Sequence, residues 1–142
     1  MKLVQHLLAA KGGQVVSIAP DASVFDAIKL MADKEIGSLV VMDGDTLAGI
    51  VTERDYARKV ILKGRSSEAT AVKDIMTPDV LTTTPDAPVD RCMAMMTDKR
   101  CRHLPVVEDG AVIGMISIGD LVQAIIADQK EEIEQLEHYI SG

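Results

Sequence analysis

The feature that most constrains this chain is an internal repeat with a spacing of 65 residues. The stretch Gly49-Ile50-Val51-Thr52-Glu53-Arg54-Asp55 returns as Gly114-Met115-Ile116-Ser117-Ile118-Gly119-Asp120. Both copies contain a glycine, two apolar residues, a hydroxyl residue and, three positions later, an aspartate. The register continues without a gap from positions 15 and 80 to positions 61 and 126. The chain therefore contains two copies of one structural unit, and its function must explain why both keep the hydroxyl and the carboxylate.

Composition restricts the classes of function. The chain has 142 residues, of which 47% are apolar and 2% aromatic, so we expect an aliphatic, methionine-rich core in one domain or two small ones. A formal charge of −7 argues against a nucleic-acid binder and against docking on an anionic membrane. No apolar run approaches the roughly 18 residues of a spanning helix, and the first six residues lack the apolar core of a signal peptide. We expect Cys92 and Cys101 to be buried free thiols in a reducing cytoplasm.

Hydrophobic periodicity predicts the same order of elements in both copies: strand, helix, strand, strand, helix. In the first copy these are a strand over 15–18, a helix behind the N-cap Ser23, a hairpin over 38–51 and a helix over 53–62. In the second copy they are an extended segment over 80–83, a helix with Pro88 in its first turn, a hairpin over 104–116 and a closing helix over 121–127. A short helix over 2–10 precedes them and is expected to end at Gly12-Gly13.

The last residues form a predicted acidic helix with a narrow apolar stripe. Ile133, Leu136 and Ile140 lie on one face of this segment. Two interpretations remain open. The stripe packs back on its own domain, or it forms a dimer contact.

Four motifs in order on this repeat resemble a tandem pair of CBS domains, the modules named after cystathionine β-synthase. They are the two stretches quoted above, Asp74-Ile75-Met76-Thr77-Pro78-Asp79-Val80, and Arg102-His103-Leu104-Pro105-Val106-Val107. The resemblance covers about residues 8–127. It implies an α+β (α/β-like) fold of two β-α-β-β-α units packed as a pseudo-two-fold pair, with units at 8–64 and 72–128 and an acidic helix at 129–142.

The resemblance also implies a function. CBS pairs bind adenosine-containing ligands such as AMP, ATP, NAD(H) or S-adenosylmethionine in a cleft between paired units, and they commonly form homodimers. We therefore expect a stand-alone, cytoplasmic, regulatory protein that senses an adenine nucleotide or dinucleotide and modulates an unidentified partner protein. The ligand is regulatory, and no catalytic cofactor is expected.

The repeated hydroxyl and carboxylate have two compatible interpretations. Thr52 with Asp55, and Ser117 with Asp120, have the spacing of a capping box, in which each pair only closes a helix start. The same geometry suits a ligand, because free backbone N–H groups at a helix start accept a phosphate and a carboxylate one turn later accepts both hydroxyls of a ribose. Gly49 and Gly114 would let a planar base approach the backbone.

The remaining candidate site residues fall into three groups. Cations that could surround a phosphate are Arg54, Arg58, Arg100, Arg102 and His103; the alternative for each is a solvated surface. Extended segments that could pair with an adenine edge contain Val16, Ser17 and Ile18 in the first copy and Leu81, Thr82 and Thr83 in the second. The opposite wall would be Gly37 and Ser38 in the first copy and His103, Leu104 and Pro105 in the second; the alternative for the apolar residues is the core.

The sequence contains no pattern that indicates catalysis. It has neither a G-x-x-x-x-G-K-[ST] phosphate loop nor a G-x-G-x-x-G fingerprint, and its three histidines are scattered without metal-ligand spacing. No nucleophile, base and orienting residue can be assembled from neighbouring positions. We therefore expect a regulator rather than an enzyme. A ligand-independent dimeric interaction scaffold is the alternative, and a nucleotide-processing enzyme is a third, disfavoured one.

Overall fold

The structure, a computed structural model, describes residues 2–12 and 15–141. Its elements follow the predicted order, and the α+β fold class is confirmed. The helices are α1 Val4–Lys11, α2 Val24–Lys34, α3 Glu53–Tyr56, α4 Val89–Lys99 and α5 Ile118–Ser141, with a π-helical turn at Ala57–Ile61 and a 3-10 turn at Val72–Asp74. The strands are β1 Ser17–Ile18, β2 Ser38–Asp43, β3 Thr46–Thr52, β4 His103–Glu108 and β5 Ala111–Ser117.

The chain divides into two compact units. The first-copy unit is Val15–Leu81, and the second-copy unit combines Met1–Gln14 with Thr82–Gly142. The N-terminal segment therefore belongs with the second copy, where the Val4 N–H donates to the carbonyl of Ala87 at 2.9 Å. In the first copy the equivalent hydrogen bond comes from the segment between the two repeats, where the carbonyl of Thr70 accepts the N–H of Val24 at 2.9 Å.

The two sheets differ by one strand. In the first copy β1 runs parallel to β2, which pairs antiparallel with β3. In the second copy β4 and β5 pair antiparallel, and the predicted extended segment contributes only a single parallel bridge from Thr83 to Val106. The reason is Pro105, which stands where the first copy has Val40. The Val40 N–H donates to a backbone carbonyl of the first extended segment at 3.2 Å, whereas proline at the equivalent position has no N–H to donate.

Helix ends follow the predicted residues closely. Ser23 caps α2, and its Oγ accepts the N–H of Asp26 at 3.1 Å. Gly12 ends α1 with a φ of 83°, whereas Gly13 lies outside the described residues. Pro88 occupies the N-cap of α4 rather than its first turn. The predicted helix over 53–62 has the expected extent, but its second half is π-helical.

Each unit has its own aliphatic core, as the low aromatic content predicts. The largest buried side chains are Met31, Leu39, Val51 and Ile75 in the first copy and Met96, Leu104, Ile116 and Leu121 in the second. Cys92 is a fully buried free thiol. Cys101 is half-buried, and burial raises its pKa above the ordinary value.

The closing helix and the acidic tail form one continuous helix of 24 residues, α5. The tail stripe is exposed, with 55% of Ile133, 62% of Leu136 and 83% of Ile140 accessible. The interpretation that the tail packs back on its own domain is therefore wrong for the described residues. Between positions 2 and 141, outside 13 and 14, no helix has both the length and the apolarity to cross a membrane.

Candidate functional site

Each hydroxyl–carboxylate pair lies at the junction of a strand and a helix and forms a capping box. In the first copy Thr52 Oγ1 accepts the N–H of Asp55 at 3.1 Å, and Asp55 Oδ2 accepts the N–H of Thr52 at 3.0 Å. In the second copy Ser117 Oγ accepts the N–H of Asp120 at 3.2 Å, and Asp120 Oδ2 accepts the N–H of Ser117 at 2.8 Å. The capping interpretation is confirmed in both copies. Capping fixes the rotamer of each carboxylate, which is also what a binding site needs.

Each of these carboxylates also binds a lysine, which sequence reasoning missed. Lys59 Nζ lies 3.1 Å from Asp55 Oδ1 and donates to the carbonyl of Ile75 at 2.8 Å. Lys11 Nζ lies 2.7 Å from Asp120 Oδ2 and donates to the carbonyl of Met115 at 2.8 Å. The two lysines do not occupy equivalent positions of the repeat. A comparison of the two copies could have shown that the lysine of the first junction is not repeated, because Ala124 occupies the position equivalent to Lys59.

Both carboxylates retain access to solvent. The accessible fraction is 13% for the side chain of Asp55 and 25% for that of Asp120. Burial by itself raises the pKa of Asp120, but the hydrogen bonds from Lys11 and Ser117 outweigh it and leave the pKa below its ordinary value. Asp120 is therefore ionised at neutral pH and available as a hydrogen-bond acceptor.

His103 lies beside the second junction. It is the cross-strand partner of Ser117 in the β4–β5 pair and is half-buried. Burial lowers its pKa, the positive charges of Lys11 and Arg102 lower it further, and the charge of Asp120 opposes them. The imidazole is thus neutral at pH 7, and the fixed positive charges near it are Lys11 and Arg102.

At the first junction the equivalent positions carry no charge. Ser38 is the cross-strand partner of Thr52 and is buried, and the carbonyl of Gly37 accepts the N–H of Glu53 at 3.1 Å. The carbonyl of Arg102 accepts the N–H of Ile118 at 2.9 Å in the same way. The backbone at the two junctions is therefore alike, and the difference between them lies in the side chains.

The other predicted cations are not gathered around either carboxylate by ion pairs. Arg54, Arg58, Arg100 and Arg102 are all exposed, and within residues 2–12 and 15–141 none of them forms a salt bridge. Arg100 has a φ of 55° and ends α4. In the part of the chain that the structure describes, neither a salt bridge nor a side-chain hydrogen bond holds these four arginines, so they are free to meet an anion.

The residues predicted to receive a base are only partly assembled. Ser17 and Ile18 form β1, with Val16 half-buried before it. Leu81 and Thr82 are exposed and lie outside the named strands. Leu104 and Pro105 are buried, and the Leu104 side chain, with 0% exposure, belongs to the second-copy core. Leu104 can therefore contribute to a site only through its backbone.

The expectation for the two glycines is wrong. A Cβ on Gly49 would lie 2.6 Å from the carbonyl oxygen of Thr77, and one on Gly114 would lie 2.6 Å from Cδ2 of Leu8. The protein itself therefore fills the space in front of both glycines, and a base cannot approach there. Within residues 2–12 and 15–141, no group of three His, Cys, Asp or Glu side chains is placed to hold a metal ion.

The comparisons with known proteins agree on one family. The CBS domain model matches residues 12–62 and 72–127. A CBS domain-containing mitochondrial protein of Arabidopsis thaliana, CBSX3, is 49% identical over 98% of this chain and 72% of its own length. A putative signal-transduction protein with CBS domains from Burkholderia ambifaria has a solved structure that is 54% identical and superposes with a TM-score of 0.86 over 90% of this chain and 96% of its own.

A second similar structure carries ligands. The CBS domain pair of protein MJ0100 was solved in complex with 5′-methylthioadenosine and S-adenosyl-L-methionine. It is 25% identical to this chain, with a TM-score of 0.80 over 90% of this chain and 98% of that one.

Proposed function

Because this chain belongs to the CBS domain family, with two copies of the domain, we propose that it is a regulatory module that binds an adenosine-containing ligand. The ligand class is AMP, ATP or NAD(H), with sulfonium and thioether adenosines as close relatives. The proposal gives the chain no catalytic activity of its own. Its output is a change in the activity of a partner protein.

The observation that carries this proposal is the pair of carboxylates, Asp55 and Asp120, that capping boxes orient at strand-to-helix junctions. A carboxylate in this position can accept hydrogen bonds from the ribose hydroxyls, as acidic residues do in dinucleotide-binding folds. The neighbouring helix start contributes a positive dipole end that favours a phosphate, although the first and third N–H groups of each helix already donate to protein oxygens. The ligands of the MJ0100 pair share an adenine and a ribose but carry no phosphate, so those two groups are the common part that a site must recognise.

We assign the parts of the ligand to residues as follows. Asp120 with Ser117, or Asp55 with Thr52, receives the ribose. Arg102, His103 and Arg100 in the second copy, and Arg54 and Arg58 in the first, face the phosphate. The extended segments with Val16, Ser17, Ile18, Leu81 and Thr82 receive the adenine edge, and Gly37, Ser38, Leu104 and Pro105 supply backbone beside it.

Regulation requires a ligand that binds two arrangements of the protein unequally, since a ligand with equal affinity for both shifts nothing. The alternative function is a scaffold that recruits its partner without any ligand. The exposed apolar stripe of the tail supports this alternative. The two proposals differ in one test: the double variant Asp55→Asn/Asp120→Asn leaves partner capture intact in a scaffold and abolishes its dependence on ligand in a sensor.

We also propose that the protein is a homodimer and that the tail of α5 contributes to the interface. Ile126, Ile133 and Ile140 recur every seven residues, and Leu136 lies three residues after Ile133. This spacing is that of a short coiled-coil seam, with isoleucine at one core position and, at the other, Leu136 in one heptad and Gln129 in the heptad before it. All four side chains are more than half exposed, so the seam is free to meet a second copy.

The proposed location is the cytoplasm. Two free cysteines, one of them fully buried, suit a reducing compartment. The Arabidopsis relative is named as mitochondrial, so fractionation of the source cells is the appropriate test.

Ligand binding is tested by calorimetry and thermal unfolding of the full chain with AMP, ATP, NAD, NADH, S-adenosylmethionine and 5′-methylthioadenosine. GMP serves as the matched control. A ligand that binds only the native state stabilises it by about 2.7 kcal/mol at 100 times its Kd, which raises the melting temperature by several degrees. Heat and stabilisation with an adenine compound but not with GMP support the proposal. No response to any of the six compounds contradicts it.

A further inference from the structure

We infer that this chain binds one ligand, at the second copy. Lys59 binds the oxygen of Asp55 that the capping box leaves open, whereas Lys11 binds the capping oxygen of Asp120 and leaves its other oxygen open. The inference rests on the proposed function and specifies it. Lys11 and Lys59 thereby become the residues that determine which copy is used, and neither belongs to the repeated motif.

Both oxygens of the first-copy carboxylate are engaged. Asp55 Oδ2 accepts the N–H and the hydroxyl of Thr52, at 3.0 and 3.1 Å, and Asp55 Oδ1 pairs with Lys59 at 3.1 Å. A ribose hydroxyl that comes to Asp55 must therefore share Oδ1 with the Lys59 ammonium group. The side chain is also the less exposed of the two, at 13%.

Lys59 is held in place on two sides. Its ammonium group donates to the carbonyl of Ile75 at 2.8 Å as well as pairing with Asp55 four residues before it. Lys59 lies within the π-helical turn, in which the Leu62 N–H donates to the carbonyl of Ala57 at 3.1 Å. Such turns are rare local distortions of a helix, and α5 has none at the equivalent position. Moving Lys59 away would cost both of its contacts.

The carboxylate of the second copy is half engaged. Asp120 Oδ2 accepts both the Ser117 N–H, at 2.8 Å, and the Lys11 ammonium, at 2.7 Å. Among the described residues, the hydrogen bonds whose acceptor oxygen is located both fall on Oδ2, and the Ser117 hydroxyl also contributes to the lowered pKa of this carboxyl. The side chain is 25% exposed. Oδ1 can therefore accept a ribose hydroxyl without the loss of any protein contact, while Oδ2 holds the carboxylate in position.

Charge does not separate the two copies. Arg102 is exposed in the second copy and forms no salt bridge, and Arg54 and Arg58 in the first copy are likewise exposed and unpaired among the described residues. Lys11 and Lys59 are each already paired with the aspartate of their own copy. The choice between the copies therefore rests on the open oxygen of Asp120 and on its greater exposure.

The test is a calorimetric titration of the full chain with AMP. The variants are Asp120→Asn, its matched partner Asp55→Asn, and Lys59→Met, with melting temperatures to show that each is folded. Asparagine keeps an oxygen for the capping bond but loses the charge. We expect one site per chain in the wild type, an affinity at least ~10-fold lower in Asp120→Asn, and a change of less than ~2-fold in Asp55→Asn. In Lys59→Met, Asp55 Oδ1 is released and a second site appears.

Two equal sites in the wild type would overturn the inference, and so would loss of binding in Asp55→Asn with retention in Asp120→Asn. If Lys59→Met fails to fold, the two asparagine variants still decide between the copies. A wild type that binds none of the six adenine compounds overturns the proposed function together with the inference. A wild type that binds through Asp55 overturns the inference alone.

Discussion

The ammonium nitrogen of Lys11 lies 2.7 Å from Oδ2 of Asp120, although 109 positions separate the two residues in the chain. The contact joins the end of α1 to the start of α5 within the second-copy unit. It also neutralises part of the charge that a phosphate-bearing ligand would otherwise meet. The N-terminal helix is thus part of the candidate site as well as of the second-copy core, to which Val4 and Leu7 belong.

Replacement of Lys11 by methionine should raise the pKa of Asp120 toward or above its ordinary value of 3.8, because burial raises this pKa and Lys11 is a main cause of its lowering. Carboxyl carbon chemical shifts followed through an acid titration measure it. Lys2→Met is the control, since Lys2 is in the same segment and lies 3.7 Å from Asp128. Identical Asp120 titrations in the two variants would show that Lys11 does not set this pKa.

His103 should make stability fall as the pH is lowered through 6.5. Its folded pKa lies below the ordinary value of 6.5, because of burial and the charges of Lys11 and Arg102, with Asp120 opposing them. The unfolded chain therefore binds a proton that the folded chain does not, so His103 costs no stability above 6.5 and progressively more below it. Urea unfolding between pH 7.5 and 5.5 measures the slope. We expect His103→Gln to reduce it, and the exposed His138→Gln to leave it unchanged. An equal slope in all three proteins would contradict this.

Alanine at Gly49 should destabilise the protein more than alanine at Gly114. The new Cβ would meet the backbone oxygen of Thr77 at 2.6 Å in the first case and the movable end of the Leu8 side chain, also at 2.6 Å, in the second. We expect a loss of about 1–3 kcal/mol for Gly49→Ala and less for Gly114→Ala. Gly119→Ala is the control, because it lies in α5 with its nearest neighbour at 3.6 Å and should be neutral or stabilising by up to ~1 kcal/mol. Urea denaturation gives all three values; equal losses at positions 49 and 114 would refute the explanation.

A charge in the tail seam should dissociate the proposed dimer. Aspartate at Ile133 or Ile140 would place a desolvated charge in an apolar interface, which coiled coils do not tolerate. Light scattering after gel filtration should give a dimer for the wild type and for Glu134→Gln, and a monomer for Ile133→Asp. Circular dichroism checks that the helix persists. A wild-type monomer, or a dimer that survives both substitutions, would exclude the tail as the interface.

The sequence was sufficient for the order of the elements, because the repeat duplicates most of the local signals. The hydroxyl, the aspartate and the hairpin turn each occur twice in register, so the capping boxes of Thr52 and Ser117 could be predicted from spacing alone. Equivalent bulges interrupt both hairpins, after Val41 and after Val106. The same comparison explains the missing strand, since proline replaces valine at position 105.

The contacts of the candidate site could not be predicted in the same way. Lys11 contacts Asp120 across 109 positions of the sequence. Hydrophobic periodicity predicts single helices, but it does not predict which helix end contacts the start of another helix. Lys59 contacts the carbonyl of Ile75 from within a π-helical turn, and no residue in that segment signals such a turn. The prediction for the two glycines was wrong because glycine is needed wherever another group approaches the backbone closely, whether that group belongs to the protein or to a ligand. Gly114 accommodates Leu8, and Gly49 accommodates Thr77.

The most direct measurement is a crystal structure of the full chain grown with AMP or S-adenosylmethionine. We predict one ligand per chain, with a ribose hydroxyl within hydrogen-bonding distance of Asp120 Oδ1 and with Lys59 still bound to Asp55. A ligand whose ribose contacts neither aspartate would refute this assignment, as would a ligand at Asp55 with the Asp120 junction empty.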